Sequence, residues 1–502
     1  MKEKFDKIVN SRFGVLADKF CNSVWYIIAI GAVCIISHTF DLVILGAALL
    51  TVLLVPTLLF CKNSFTLAPF LMMCSFVMSE ETMPQSGYYN SASKIVPLCV
   101  LLVFIVAALV FNLVYYGKWK KIFKKGYLTV SICLVSGALI IGGLGTPTFS
   151  LGGVGMSLAI ALCTFLPYSM MINCGEYKGE KTIEYFAAGL ITSAVVIGAA
   201  VLDKYIRVGF DNANKSMLQL GYAISNTAAA IVILAIPFTF YLVYKYKHGY
   251  AFLALIALEL GIIAATYSRA TLVVAVPGTV IVSIVLCFKK KTGRIGYWIA
   301  FGLAVVAALA VVIVYWDKIY GMIASVLGGG GAQDSGRFRL WRYGYDAWKQ
   351  KPVFGVGLWY LVINEYRMPN PYFSFHCTPL TYLYCAGIVG LAAYLYHRYK
   401  TVRIVFSAKL TTERVFVALA VFAMVVNALL DIAMTMPPHL LYYAMMLALI
   451  ECDVKKTREV CASAKTDTDN ATAVGENIIN ESSSVAVDAS DEINTETTES
   501  LS

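Results

Sequence analysis

Residues 95–125 read IVPLCVLLVFIVAALVFNLVYYGKWKKIFKK. The apolar part runs for about 22 residues and, as a helix, rises far enough to cross the roughly 30 Å hydrocarbon core of a bilayer. The lysines that follow, Lys118 to Lys125, mark the flank that stays on the cytoplasmic side. A run this uniformly apolar has no polar face, so it is not a helix lying on the membrane surface.

The same pattern repeats from Cys21 to Ile450. Residues of the AVILMFWYC class make up 59% of the 502, and charged residues only 14%, against about 25% in soluble domains. A soluble fold of this size would lack the polar surface to cover itself. The expectation is an all-α, polytopic transmembrane bundle of about 14 spans, within a range of about 12 to 14.

The net charge of +10 does not point to nucleic acid, because the basic residues stand in short clusters between apolar runs rather than along one solvated face. Lys118 to Lys125, Lys245 and Lys247, Lys289 to Arg294, and Arg398 to Arg414 fall in alternate connections, and all are cytoplasmic if the N-terminus is inside. Both termini are then cytoplasmic, and the chain is expected in a cell membrane as a multi-pass protein. The thirteen cysteines include no CxxC pair and sit mostly in apolar runs, so they read as small core residues rather than metal ligands or a disulfide framework.

The organisation that follows has a cytoplasmic segment 1–20, eleven spans within 21–316, a large extracytoplasmic loop 317–377, three spans within 378–450, and a tail 451–502. The tail is acidic, rich in Ser and Thr, and expected to be disordered.

Chemistry is concentrated in the long loop and the turns on its side. Gly328 to Gly331 form a hinge, after which Asp334 or Ser335 is placed to cap a helix that stops before Pro352. On it Arg337, Trp341, Tyr345 and Trp348 form one stripe suited to the membrane interface. Arg337, Arg339 and Arg342 crowd the N-terminus of that helix, where guanidinium forks and free N–H groups suit phosphate oxygens. For Arg339 and Arg342 the plainer reading is favoured: pairing of Arg342 with Asp346, and contact with lipid headgroups.

Arg269 lies in the short turn Thr266-Tyr267-Ser268-Arg269-Ala270-Thr271, where a charge at membrane depth is either functional or snorkels to the interface. His376 stands where the loop re-enters the membrane and has the right chemistry to deprotonate a hydroxyl near neutral pH. His38 and His439 are its competitors on that side. The intramembrane acids Glu259 and Asp431 are either coupling sites of a transporter or partners of a buried cation or hydroxyl, and the second reading is preferred.

Residues 221–400 resemble the O-antigen ligase and O-antigen polymerase family. The resemblance rests on Gly221-Tyr222 to Asn226, and on Ser268-Arg269-Ala270. It continues through Ser335-Gly336-Arg337 with Trp341, Pro352 and Gly355-Val356-Gly357, and ends on His376 followed by Leu380, Gly387 and Gly390. Cys377 departs from the asparagine usual in the family. The resemblance implies a glycosyltransferase without metal or other cofactor, inverting, that takes oligosaccharide from a polyprenyl (undecaprenyl) diphosphate carrier to a glycan or glycolipid acceptor. Polymerase is preferred to ligase, because nothing identifies a lipid A core partner. Arg269 and Arg337 would bind the diphosphate, and His376 would activate the acceptor or help hold the diphosphate. Arg339, Arg342, Trp341 and Asn226 would add contacts to diphosphate or sugar. A flippase or transporter of lipid-linked oligosaccharides is the competing reading.

Overall fold

The computed structural model describes residues 2–82, 88–212, 214–317, 320, 337–358, 360–363, 366–369, 375–431 and 436–463. The protein is helical apart from a small antiparallel hairpin, Tyr360–Ile363 with Tyr366–Pro369. Among the described residues nine helices are long and apolar enough to cross a membrane, and a tenth results if Arg12–Cys21 and Val24–Thr39, bent by 71°, make one span. The expected count of about 14 also took in 438–450 and the shorter apolar helices Ser64–Val77, Thr129–Ile140 and Gly249–Ala265, which have 10–17 residues each.

Two helices form the centre. Ser225–Lys245 is buried on every side, packed by Glu180–Val208, Leu253–Ala265, Arg269–Lys289 and Thr412–Leu430. Its run Ala228-Ala229-Ala230 is at most 1% exposed, which small side chains permit by letting helix backbones approach closely. The second is the helix over residues 437–463, also enclosed from Tyr442 to Val454. It runs past the boundary expected at 451, and the tail from 464 onward lies outside the described residues. At the periphery, Ala92–Tyr115 and Arg294–Val314 present nearly their whole surface outward, as lipid-facing helices do.

The bundle has two ends. One carries the basic connections around Lys118, Lys245, Lys290 and Arg414. The other gathers the turns near His38, Ser79, Lys204, Leu220 and Arg269, because Gly221 packs on the Ser79 backbone, Lys204 pairs with Glu80, and Tyr205 donates to the Ala265 carbonyl at 2.8 Å.

The long loop closes this second end by entering a broken helix. Thr378–Val405 is interrupted at Gly387, whose φ of 64° is non-helical, and the break frees the backbone groups around it. The segment 352–357 takes them up: Val356 and Gly357 donate to the Tyr384 and Cys385 carbonyls at 2.8 and 2.9 Å, while Ile388 donates to the Pro352 carbonyl at 2.8 Å. Irregular backbone at membrane depth survives only where the protein itself satisfies it in this way. A Cβ on Gly355 would overlap the Tyr384 carbonyl, and one on Gly387 the Val353 carbonyl. Both glycines also have positive φ, so the close approach and the turn demand that residue.

Candidate active site

The helix expected after the glycine hinge is present as Arg337–Gln350; the hinge itself and the capping positions Asp334 and Ser335 lie outside the described residues. The face it turns inward differs from the expected stripe. Gly344 and Ala347 are buried, with Arg337, Leu340, Trp341 and Trp348 half-buried beside them, whereas Tyr345 is 46% exposed. The shift follows from packing against Phe375 and the start of Thr378–Val405, which leaves room for no side chain at position 344.

Trp341 ties this helix to the re-entry point, its indole N–H donating to the Phe375 carbonyl at 2.6 Å. The next residue, His376, has a left-handed backbone with φ 49°, an uncommon conformation for a residue with a side chain, and one often held by its surroundings at functional positions. Its Nδ1 lies 3.0 Å from Oδ1 of Asp431. Asp431, at the C-terminal end of Thr412–Leu430, is 1% exposed, while the histidine side chain is 30% exposed. A carboxylate accepts only, so Nδ1 carries the proton of this bond and Nε2 is the nitrogen that takes one up.

Arg269 opens the helix Arg269–Lys289 two residues after Tyr267, another residue with positive φ. That turn is anchored to the Asp431 helix: Ser268 and Thr271 hydroxyls are 2.9 Å apart, and Thr271 donates to Asn427 Oδ1 at 3.1 Å. Asn427 stands one helical turn before Asp431, so the anchor brings the Arg269 turn alongside the dyad. Arg269 is exposed and Arg337 half-buried.

A further cation, Lys215, comes from the loop before Ser225–Lys245. Burial holds its ammonium below the usual lysine range; Asp431 acts the other way, and the like charges of Arg337 and Arg269 push it down again. Lys215, whose side chain is exposed, is therefore within electrostatic reach of Asp431, Arg337 and Arg269, and Asp431 holds the imidazole of His376.

The other candidates separate. Arg339 is exposed, and Arg342 is exposed with Asp346 4.0 Å away. Asn226 is buried beside Thr227, and its Oδ1 meets no partner among the described residues. His38 is occupied by the Met78 carbonyl and His439 by the Thr227 carbonyl. Glu259 accepts from Thr239 at 2.7 Å. Sequence reasoning missed Lys215, whose loop carries no distinguishing pattern. It noted Asp431 only as an intramembrane acid; its position at the end of an apolar run was the available signal.

No curated protein matches the chain. Residues 252–395, however, match the family model described as O-Antigen ligase. That stretch takes in the Arg269 turn, the Arg337 helix, the inserted segment 352–357 and His376, so the likeness to the O-antigen ligase family covers the residues that build this site.

Proposed function

We propose that the protein is a membrane glycosyltransferase of surface polysaccharide assembly, moving oligosaccharide from a polyprenyl diphosphate carrier to an acceptor hydroxyl. The observation that carries this reading is the His376–Asp431 pair, with the Arg269 turn tied to the Asp431 helix through Thr271 and Asn427, the Arg337 helix tied to the residue before His376 through Trp341, and Lys215 in electrostatic reach of Asp431, Arg337 and Arg269. It lies at the end of the bundle opposite the basic connections, which is the extracytoplasmic end by the positive-inside rule.

Surplus positive charge held by two helix N-termini suits a diphosphate, and such fixed cations stabilise charge that grows on a leaving group. In the transfer the acceptor O–H proton passes to His376 Nε2. The acceptor oxygen forms its bond to the anomeric carbon as the bond from that carbon to diphosphate breaks, and the electron pair leaves on the diphosphate oxygen. Asp431 fixes the imidazole orientation and balances the imidazolium charge. One displacement of this kind inverts the anomeric centre. Trp341 then acts by holding the Phe375-His376 backbone as much as by touching sugar. Polymerase and ligase differ here only in the acceptor; polymerase is preferred because nothing in the chain points to a lipid A core.

The test is transfer by the purified protein supplied with polyprenyl-diphosphate oligosaccharide. Product is expected with the natural chain and not with Arg337→Ala. Full activity in that variant removes the loop from the mechanism. Translocation of the carrier that depends on Glu259 and proceeds without transfer would favour a flippase instead.

A further inference from the structure

At the basic end of the bundle, away from this site, a cavity of about 230 Å³ is lined by Glu180, Tyr241, Tyr244, Lys245, Lys291, Thr292, Thr412 and Glu413. With Glu184 at its rim, its ionised groups are three carboxylates and two ammoniums, a net charge of −1. They are unequally satisfied. Lys245 is held by Glu180 at 2.7 Å and by Glu184, just outside the cavity, at 2.9 Å. Glu413 receives a long 3.5 Å hydrogen bond from Tyr241, and Lys291 makes no hydrogen bond or ion pair among the described residues.

What remains to be matched is one carboxylate beside two tyrosine rings, and one ammonium beside the Thr292 hydroxyl. A primary ammonium fits the first, since a carboxylate and aromatic faces both attract it. A phosphate fits the second. A nucleotide or bare diphosphate would add uncompensated negative charge to a cavity whose own charge is already −1.

The surroundings indicate where such a zwitterion comes from. The turn that bears Lys291 is pinned to the bundle by Lys290, whose Nζ reaches the carbonyls of Val243 and Tyr246 at 2.5 and 2.9 Å. The helix that follows, Arg294–Val314, is packed so little against the rest of the chain that only 6% of its apolar window is buried. The cavity is lined by the ends of three membrane-length helices, Glu180–Val208, Ser225–Lys245 and Thr412–Leu430, which is the level where headgroups lie.

We propose that this cavity is a lipid site that selects a phosphoethanolamine headgroup, with Glu413 receiving the ammonium between Tyr241 and Tyr244, and Lys291 with Thr292 receiving the phosphate. The proposal is independent of the transferase reading, because none of these groups belongs to the transfer site.

The test is native mass spectrometry of the full-length chain released from nanodiscs of phosphatidylglycerol alone, or of equal phosphatidylethanolamine and phosphatidylglycerol. One phosphatidylethanolamine is expected to remain bound in preference to phosphatidylglycerol. Glu413→Gln and Lys291→Gln should each cut that preference by roughly three- to fivefold, while Lys120→Gln leaves it intact. Thermal unfolding run in parallel confirms that the variants are folded. Equal retention of both lipids, or a preference unchanged in both variants, would overturn the proposal. Complete displacement by free phosphoethanolamine would also overturn it, since the site would then serve a soluble ligand.

Discussion

The two ends of the bundle use charge in opposite ways. At the basic end the buried Arg414 and Glu451 are matched by opposite charge. Arg414, with a side chain 0% exposed, meets Asp453 at 2.8 Å, the Ala408 carbonyl and the Thr457 hydroxyl, and Glu451 is held by Tyr168, the Tyr127 N–H and Lys455. At the other end Lys215 interacts with Asp431, a carboxylate already engaged by His376, and with the like charges of Arg269 and Arg337, and among the described residues neither arginine has an ion pair. Matched charges fix helices to one another. A surplus of cations, half-open to solvent, does not stabilise the fold and is poised for an anion from outside.

The sharpest way to break this contrast is to remove one charge from each end. Arg337→Ala or Arg269→Ala should lower transfer by about 10²- to 10³-fold, with thermal stability unchanged, as measured by product formation and unfolding of the detergent-purified protein. His376→Ala should fall in the same range or below it. Arg414→Ala should do the reverse, destabilising the fold by about 3–5 kcal/mol because Asp453 is left buried and unpaired, while the folded fraction keeps its activity. Stability loss in the first variants, or activity loss without instability in the last, would mean that the ends are not divided in this way.

A smaller effect tests the device that holds the site in place. Gly387→Ala puts a Cβ against the Val353 carbonyl at a positive φ, so a destabilisation of about 1–3 kcal/mol is expected. The inserted segment also positions the re-entry of the loop, so transfer should fall together with stability. Normal activity at unchanged melting temperature would show that the insertion is incidental.

Much of the fold was legible in the sequence because the bilayer imposes a length and a hydropathy on every crossing helix. Runs such as 95–116 and 226–244 are found as helices close to their expected bounds. What hydropathy does not carry is depth. Ala92–Tyr115 and Ser225–Lys245 are both long and apolar, yet one is 11% buried and the other 94%, a distinction made by packing. The site divides similarly. Arg269, Arg337 and His376 were marked by chemistry unusual for their surroundings: a charge in a minimal turn, a guanidinium at a helix start, an imidazole at membrane re-entry. Lys215 lies in a polar loop where a lysine is ordinary. Asp431 is separated from His376 by 55 positions, and only folding brings the carboxylate to the ring.

Arg342→Ala is the mildest of these tests and discriminates within the loop helix itself. Arg342 sits one turn from Asp346, with its side chain 85% exposed and Nε 4.0 Å from the carboxylate. An exposed pair at this spacing contributes only a few tenths of a kcal/mol, and the residue stands away from the face that carries Trp341 to Phe375. Transfer is therefore expected to stay within about twofold of the natural chain, against the far larger loss at Arg337 five residues earlier. A loss at Arg342 comparable to that at Arg337 would mean that the diphosphate lies along the outer face of the helix rather than at its N-terminus, and the contrast between paired and surplus cations would have to be redrawn inside the loop.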